Sequence, residues 1–227
     1  GFDGDGDAVA VPDLGGDVVR LYDVVPTADD PTQHTLAAEA VQSLPLPKGS
    51  GPRHCVESPC ARWLYVVCEL SSTVVVFPRL EEGLAAHSAA RFDPAAAHAP
   101  VSTLPPRGSD VRHSSAAEST TAAIRVHPSG EYVYVSNRGH DSIAVLAVDA
   151  RSGALTRVAN VPTEGGAPRD FVLVTPSPTS PTFLLAANQN TDTIVGFVIA
   201  KSDGGVPRRV EGCTAECNTP VSLLVVR

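Results

Sequence analysis

A single phrase recurs along this chain, and its recurrence narrows the folds open to it. In VHPSGEYVYVSNRGHDSIAVLAVD, from Val126 to Asp149, the stretch Glu131 to Ser136 alternates apolar and aromatic residues as a half-buried strand does. Asn137-Arg138-Gly139-His140-Asp141 carries turn chemistry, and Ser142 to Val148 reads as a second strand. His127-Pro128-Ser129-Gly130 is a tight turn, because Pro presets φ and Gly tolerates positive φ. The unit returns 51 residues later as AANQNTDTIVGF, Ala186 to Phe197. It stands 69 residues earlier as VCELSSTVVVF from Val67, and 124 earlier as VPDLGGDVVRLY from Val11. Four copies of a β-meander predict a repeat architecture, and short strands at such periods favour a β-propeller.

A length of 227 residues permits one all-β domain, residues 1–227, and Gly 18 with Pro 20 suits its turns. The net charge of −8 counts against a nucleic-acid partner. No apolar run approaches the roughly 18 residues of a membrane span, and no signal peptide is recognisable at Gly1. The missing initiator Met points to a fragment, a processed form or a partial chain. Five cysteines form an odd set, which predicts free thiols and a reducing, cytoplasmic setting. Cys213-x-x-x-Cys217 lacks partner ligands at metal spacing, and Gly1 to Asp7 lacks the closing acid of a calcium loop, so no metal or other cofactor is expected.

Between the copies lie hinges, Lys48 to His54 (KGSGPRH) and Gly165 to Asp170 (GGAPRD), each opening an inner strand. Outer strands are expected over Leu36 to Leu46 and Ala154 to Val161. Pro78 to Thr121 is long and irregular, with Ala95 to Ala97 limited to a turn or two of helix by Pro94 and Pro100. Asp17, Asp141 and Asp192 recur at one turn position, where a short carboxylate caps backbone N–H groups; Asn137 and Asn188 are expected to act likewise. Trp63, Tyr132 and Tyr134 are predicted core aromatics. The first copy begins at its second strand, so Thr219 to Val226 (TPVSLLVV) is expected to be a strand that completes it and closes the ring.

The phrases VPDLGGDVVRLYD, GPRH, VHPSGEYVYVSNRGHDSIAV, GGAPRDF, LLAANQNTDTIVGFVI and TPVSLLVV, in this order, resemble the lactonase family of seven-bladed β-propellers. That family includes propeller-type 6-phosphogluconolactonases and fungal carboxy-cis,cis-muconate cyclases. The resemblance implies an all-β propeller of four-stranded antiparallel blades, with about four blades present of a seven-bladed pattern. Seven blades need roughly 300 residues at about 42 each. It implies hydrolysis of 6-phosphoglucono-δ-lactone, a small-molecule substrate, without cofactor; the alternatives are muconate lactonisation and a non-catalytic scaffold.

It also implies site residues. His54 in GPRH opens an inner strand, and imidazole can take a proton from water. Arg169 in PRDF offers a planar fork to a carboxylate or phosphate, or alternatively an ion pair to Asp170. Arg53 and Arg138 are candidate substrate-binding residues, Arg138 with a cross-blade structural contact as its other role. The family's catalytic Glu, counted back from Asn137, falls on Ala123; Glu118, five residues earlier in Ser115-Ala116-Ala117-Glu118, is the candidate to supply the carboxylate across an insertion.

Overall fold

A computed structural model describes residues 8–30, 32–80, 91–106, 119–177 and 179–226. Its strands form four four-stranded antiparallel sheets, taken in chain order. The first holds β1 (Ala8–Asp13), β2 (Val18–Pro26), β3 (His34–Leu36) and β4 (Gln42–Pro45). The second runs β5 (Pro52–Glu57), β6 (Trp63–Cys68), β7 (Thr73–Pro78), β8 (Val101–Ser102). The third runs β9 (Thr120–Val126), β10 (Tyr132–Arg138), β11 (Ser142–Val148), β12 (Leu155–Pro162). The fourth runs β13 (Pro168–Val174), β14 (Thr182–Asn188), β15 (Thr193–Ile199), β16 (Arg208–Glu216).

In the last three sheets an inner strand, two middle strands and an outer strand follow in sequence, which is the blade of a propeller. The first sheet begins at its second strand: β1 corresponds to β6, β10 and β14. Its outer strand is broken into β3 and β4, both paired to β2, instead of running from Leu36 to Leu46. The interruption falls on Ala37-Ala38-Glu39-Ala40, residues of low strand propensity, after which Val41 N–H rejoins the ladder at Leu21 O.

Blades pack face to face, so their middle strands are covered on both sides and read as continuous apolar runs. All six residues of β6 (WLYVVC) are buried. Three apolar clusters fill the interfaces. Val19, Leu44 and Phe77 join the first and second blades, Trp63, Tyr65 and Leu146 the second and third, and Tyr134, Phe171 and Phe197 the third and fourth. Trp63 and Tyr134 are buried as predicted, and Tyr132 packs partly buried against the last cluster.

The recurring aspartates behave as predicted. Asp17, Asp141 and Asp192 all adopt the left-handed conformation, with φ of 49°, 54° and 56°. Each carboxylate accepts the backbone N–H of the hinge that starts the next inner segment: Gly51 at 2.8 Å, Ala167 at 2.8 Å and Thr219 at 2.7 Å. In the remaining copy Ser72 (φ 51°) holds the same place, and its hydroxyl donates to Ser119 O. The asparagines act differently. Asn137 is wholly buried and reaches the preceding blade, donating to Thr103 O and accepting from Thr103 Oγ1 at 2.7 Å.

Two expectations need correction. Ala95 and Ala96 lie in a turn whose N–H groups Asp93 accepts, and no helix forms there. Thr219 to Val226 is not a strand and does not pair with β1. Leu224 and Val226 are 87% and 85% exposed. An extended segment becomes a strand only by filling a ladder, and this one pairs with no strand among the described residues.

Candidate active site

The three inner strands β5, β9 and β13 pair with their middle strands in the same register. Cys55, Ile124 and Phe171 pair with Val66, Val135 and Ala186. The residues just before them, His54, Ala123 and Asp170, therefore occupy one equivalent position, and Arg53, Ala122 and Arg169 the next. A third column closes the middle strands: Glu69, Arg138 and Gln189, each one residue past Cys68, Asn137 and Asn188. Charged groups from three blades meet at these ends of the strands.

The ion pairs define the site's wall. Glu69 Oε2 lies 3.0 Å from Arg53 Nε, and Glu69 Oε1 lies 2.7 Å from Arg138 Nη2. Arg138 also donates to Thr120 Oγ1 at 2.9 Å and to Thr121 O at 3.2 Å. Arg138 thus makes the cross-blade contact that was its alternative role. Arg125 Nη2 pairs with Asp170 Oδ1 at 2.9 Å, while Asp170 Oδ2 accepts Leu223 N–H at 2.9 Å. Arg169 has no carboxylate partner among the described residues and donates to the neutral amide oxygen of Gln189 at 3.3 Å. Its pairing with Asp170 is not formed, because that carboxylate is taken by Arg125.

His54 sits within this wall. Arg53 Nη1 lies 3.0 Å from its Nε2 and 3.3 Å from its Nδ1, and donates to Ala122 O at 2.7 Å. Burial, then the Arg53 and Arg125 charges, depress the imidazole pKa to about 4, against smaller opposing pulls from Asp170 and Glu69. At neutral pH the ring is therefore uncharged and keeps a lone pair. Burial also lowers the pKa of Arg53, though a guanidinium starts so high that it stays charged.

The structure thus brings together four of the predicted residues: His54, Arg53, Arg138 and Arg169. Glu118 lies outside the described residues, as does the Gly1 to Asp7 segment. The position of the family's Glu in the resemblance is held by Ala123, which is fully buried. Reasoning from sequence missed Glu69 and Arg125, and it gave Asp170 only as a partner for Arg169. Superposing the repeats would have found Glu69, since the 69-residue spacing sets it on Arg138. Arg125 carried no such signal, because Val56 and Val172 stand at its place in the other inner strands.

Among the described residues no three His, Cys, Asp or Glu side chains converge as a metal site, and all five cysteines are free. A cleft of about 750 Å³ lies at the far ends of these strands, lined by His127, Glu131, Tyr132, Thr175 and Thr182 among others, away from the arginines.

Stacked four-stranded antiparallel blades, with charged side chains gathered at their inner-strand starts, define a β-propeller. Residues 1–225 match the family described as "Lactonase, 7-bladed beta-propeller". The chain belongs to that lactonase family. It is 38% identical over 160 residues to a 6-phosphogluconolactonase of Bacillus subtilis, covering 69% of this chain and 39% of that protein. A 6-phosphogluconolactonase of Formosa agariphila is 28% identical over 198 residues, 86% of this chain and 48% of its own. Among solved structures, a Lactobacillus plantarum protein superposes with a TM-score of 0.73 at 29% identity, over 96% of this chain and 55% of its own. The periplasmic gluconolactonase of Pseudomonas aeruginosa gives 0.72 at 28% identity, over 96% and 53%. The chain spans about half the length of the relatives it matches.

Proposed function

We propose that this chain carries the hydrolytic centre of a propeller-type lactonase, with a sugar-acid lactone bearing an anionic group as substrate and 6-phosphoglucono-δ-lactone as the first compound to test. One observation carries the reading: an imidazole kept neutral among guanidiniums, with an arginine in the same cluster, Arg169, that pairs with no carboxylate among the described residues. The relatives named 6-phosphogluconolactonase support the substrate.

In this reading His54 takes a proton from water as the water oxygen bonds to the lactone carbonyl carbon. A neighbouring guanidinium stabilises the oxyanion, and Arg169 holds the substrate's anionic group. The ring C–O bond then breaks, and the imidazolium returns the proton to the leaving oxygen. No change of oxidation state occurs.

A second reading, a binding scaffold without catalysis, is favoured by the Ala123 methyl at the position the resemblance assigns to a carboxylate. Lactone hydrolysis at neutral pH, corrected for spontaneous opening, separates the two. Activity lost in both His54→Ala and Arg169→Gln supports hydrolysis; a rate equal to buffer from folded protein refutes it. A carboxylated muconate assayed alongside tests the lactonising alternative, which uses the same residues.

A further inference from the structure

The arginines of the site are not equivalent, and a single carboxylate makes the difference. Glu69 binds two guanidiniums from two blades, Arg53 through Oε2 and Arg138 through Oε1. Within the second blade, Arg53 and Glu69 face each other as Arg169 and Gln189 do in the fourth. In the third blade the inner-strand position is Ala122, so Arg138 has no arginine before it and extends to the second blade instead. The position that is glutamate in one blade is glutamine in another. Where it is glutamate an ion pair compensates the arginine's charge, and where it is glutamine no carboxylate among the described residues does so.

We propose that Glu69 is a specificity-determining residue: it retains Arg53 and Arg138 in the wall and leaves Arg169 to receive one anionic group, so that the site selects substrates with a single phosphate or carboxylate over polycarboxylates. This deepens the lactonase reading and rests on its view of the site as anion-binding. Geometry supports the division of labour. Both Glu69 oxygens are engaged, and Arg138 is further tied by Thr120 and Thr121, so withdrawing either guanidinium toward a ligand would strip one oxygen of a half-buried carboxylate of its ion pair. Arg169 gives up only one long bond to a neutral amide. Arg125 is likewise held, by Asp170.

The test is calorimetric titration of the whole chain with inorganic phosphate and with tricarballylate, a tricarboxylate, as probes. Wild type should bind phosphate more tightly than tricarballylate, and Arg169→Gln should lose phosphate binding. Glu69→Gln should tighten tricarballylate by about tenfold or more while changing phosphate by less than about threefold, and Glu69→Asp should retain the wild-type preference. A purely structural role for Glu69 would weaken both probes together. If Glu69→Gln does not fold, Arg138→Gln decides: a loss of phosphate affinity below about fivefold supports the inference, and any larger loss means that Arg138 contacts the ligand and overturns it. Phosphate binding through Arg169 with an unchanged preference in Glu69→Gln refutes the role of Glu69 alone. Failure of wild type to bind either anion removes the anion-site reading itself.

Discussion

The carboxylate of Asp192 accepts the N–H of Thr219 at 2.7 Å, repeating at the end of the chain the contact that Asp141 makes with Ala167. Each contact ties the turn between a blade's middle strands to the hinge that leaves its outer strand. The hinge residues Gly51, Ala167 and Thr219 share positive φ, so the chain turns inward in the same way each time. Arg53 and His54 lie two and three residues beyond Gly51, as Arg169 and Asp170 lie beyond Ala167, which makes Asp17 and Asp141 mechanical anchors of the candidate site.

Replacing Asp141 by Ala should therefore destabilise the protein and disturb the site. It removes acceptors for Ala167 N–H and Gly139 N–H and leaves a side chain less suited to positive φ. A loss of about 1–3 kcal/mol is expected, measured by urea unfolding. Asp141→Asn, which tolerates the left-handed region and keeps an acceptor oxygen, should cost less than half of this.

Asn137 and Thr103 join the third blade to the outer edge of the second through reciprocal hydrogen bonds in a fully buried setting. Asn137→Ala leaves both Thr103 groups short of a partner at this contact, with an expected cost of about 1–3 kcal/mol. Asn137→Asp should cost more, because it sets a carboxylate against Thr103 O. Denaturant midpoints of the two variants check the order.

Gly153, at φ 74°, lies so close to the Trp63 ring that an added Cβ would stand 2.5 Å from its atoms. Gly153→Ala must displace the indole as well as strain the turn, for an expected loss of about 1–3 kcal/mol. Trp63 is the only tryptophan in the chain, so a shift of its fluorescence maximum reports the displacement directly.

Acid should weaken the fold through His54. The free imidazole titrates near 6.5 and the folded one at about 4, so the unfolded chain takes up the proton first as pH falls. The stability that depends on a neutral His54 is complete above pH 6.5 and declines as pH drops toward 4. A His54→Gln variant should show a shallower loss of urea midpoint between pH 7 and 4.5. Equal slopes in the two proteins would exclude this linkage, and NMR titration of the ring gives its pKa independently.

What was legible in the sequence was local and repeated. Strand pairs around Asp13 to Asp17 and Asn137 to Asp141, the hinges at Gly51 and Ala167, and the aspartate caps all follow from chemistry within a few residues. His54 and Arg169 were candidates through the resemblance, and the structure places each beside a hinge at an inner-strand start. Arg125 was not legible, because its place in the site depends on Asp170, 45 residues away on another blade.

The sequence by itself determined the blade: alternation of apolar residues, turn residues suited to positive φ, and a repeat that can bury its faces only against further copies. Tertiary structure decided which charges meet. Glu69 joins Arg53 and Arg138 because blade stacking sets their columns side by side, whereas Arg169 faces glutamine and pairs with no acid among the described residues. It also decided the fate of Thr219 to Val226, whose strand-like sequence stays outside any sheet: propensity favours an extended chain, but only a neighbouring strand supplies the hydrogen bonds that make it part of one.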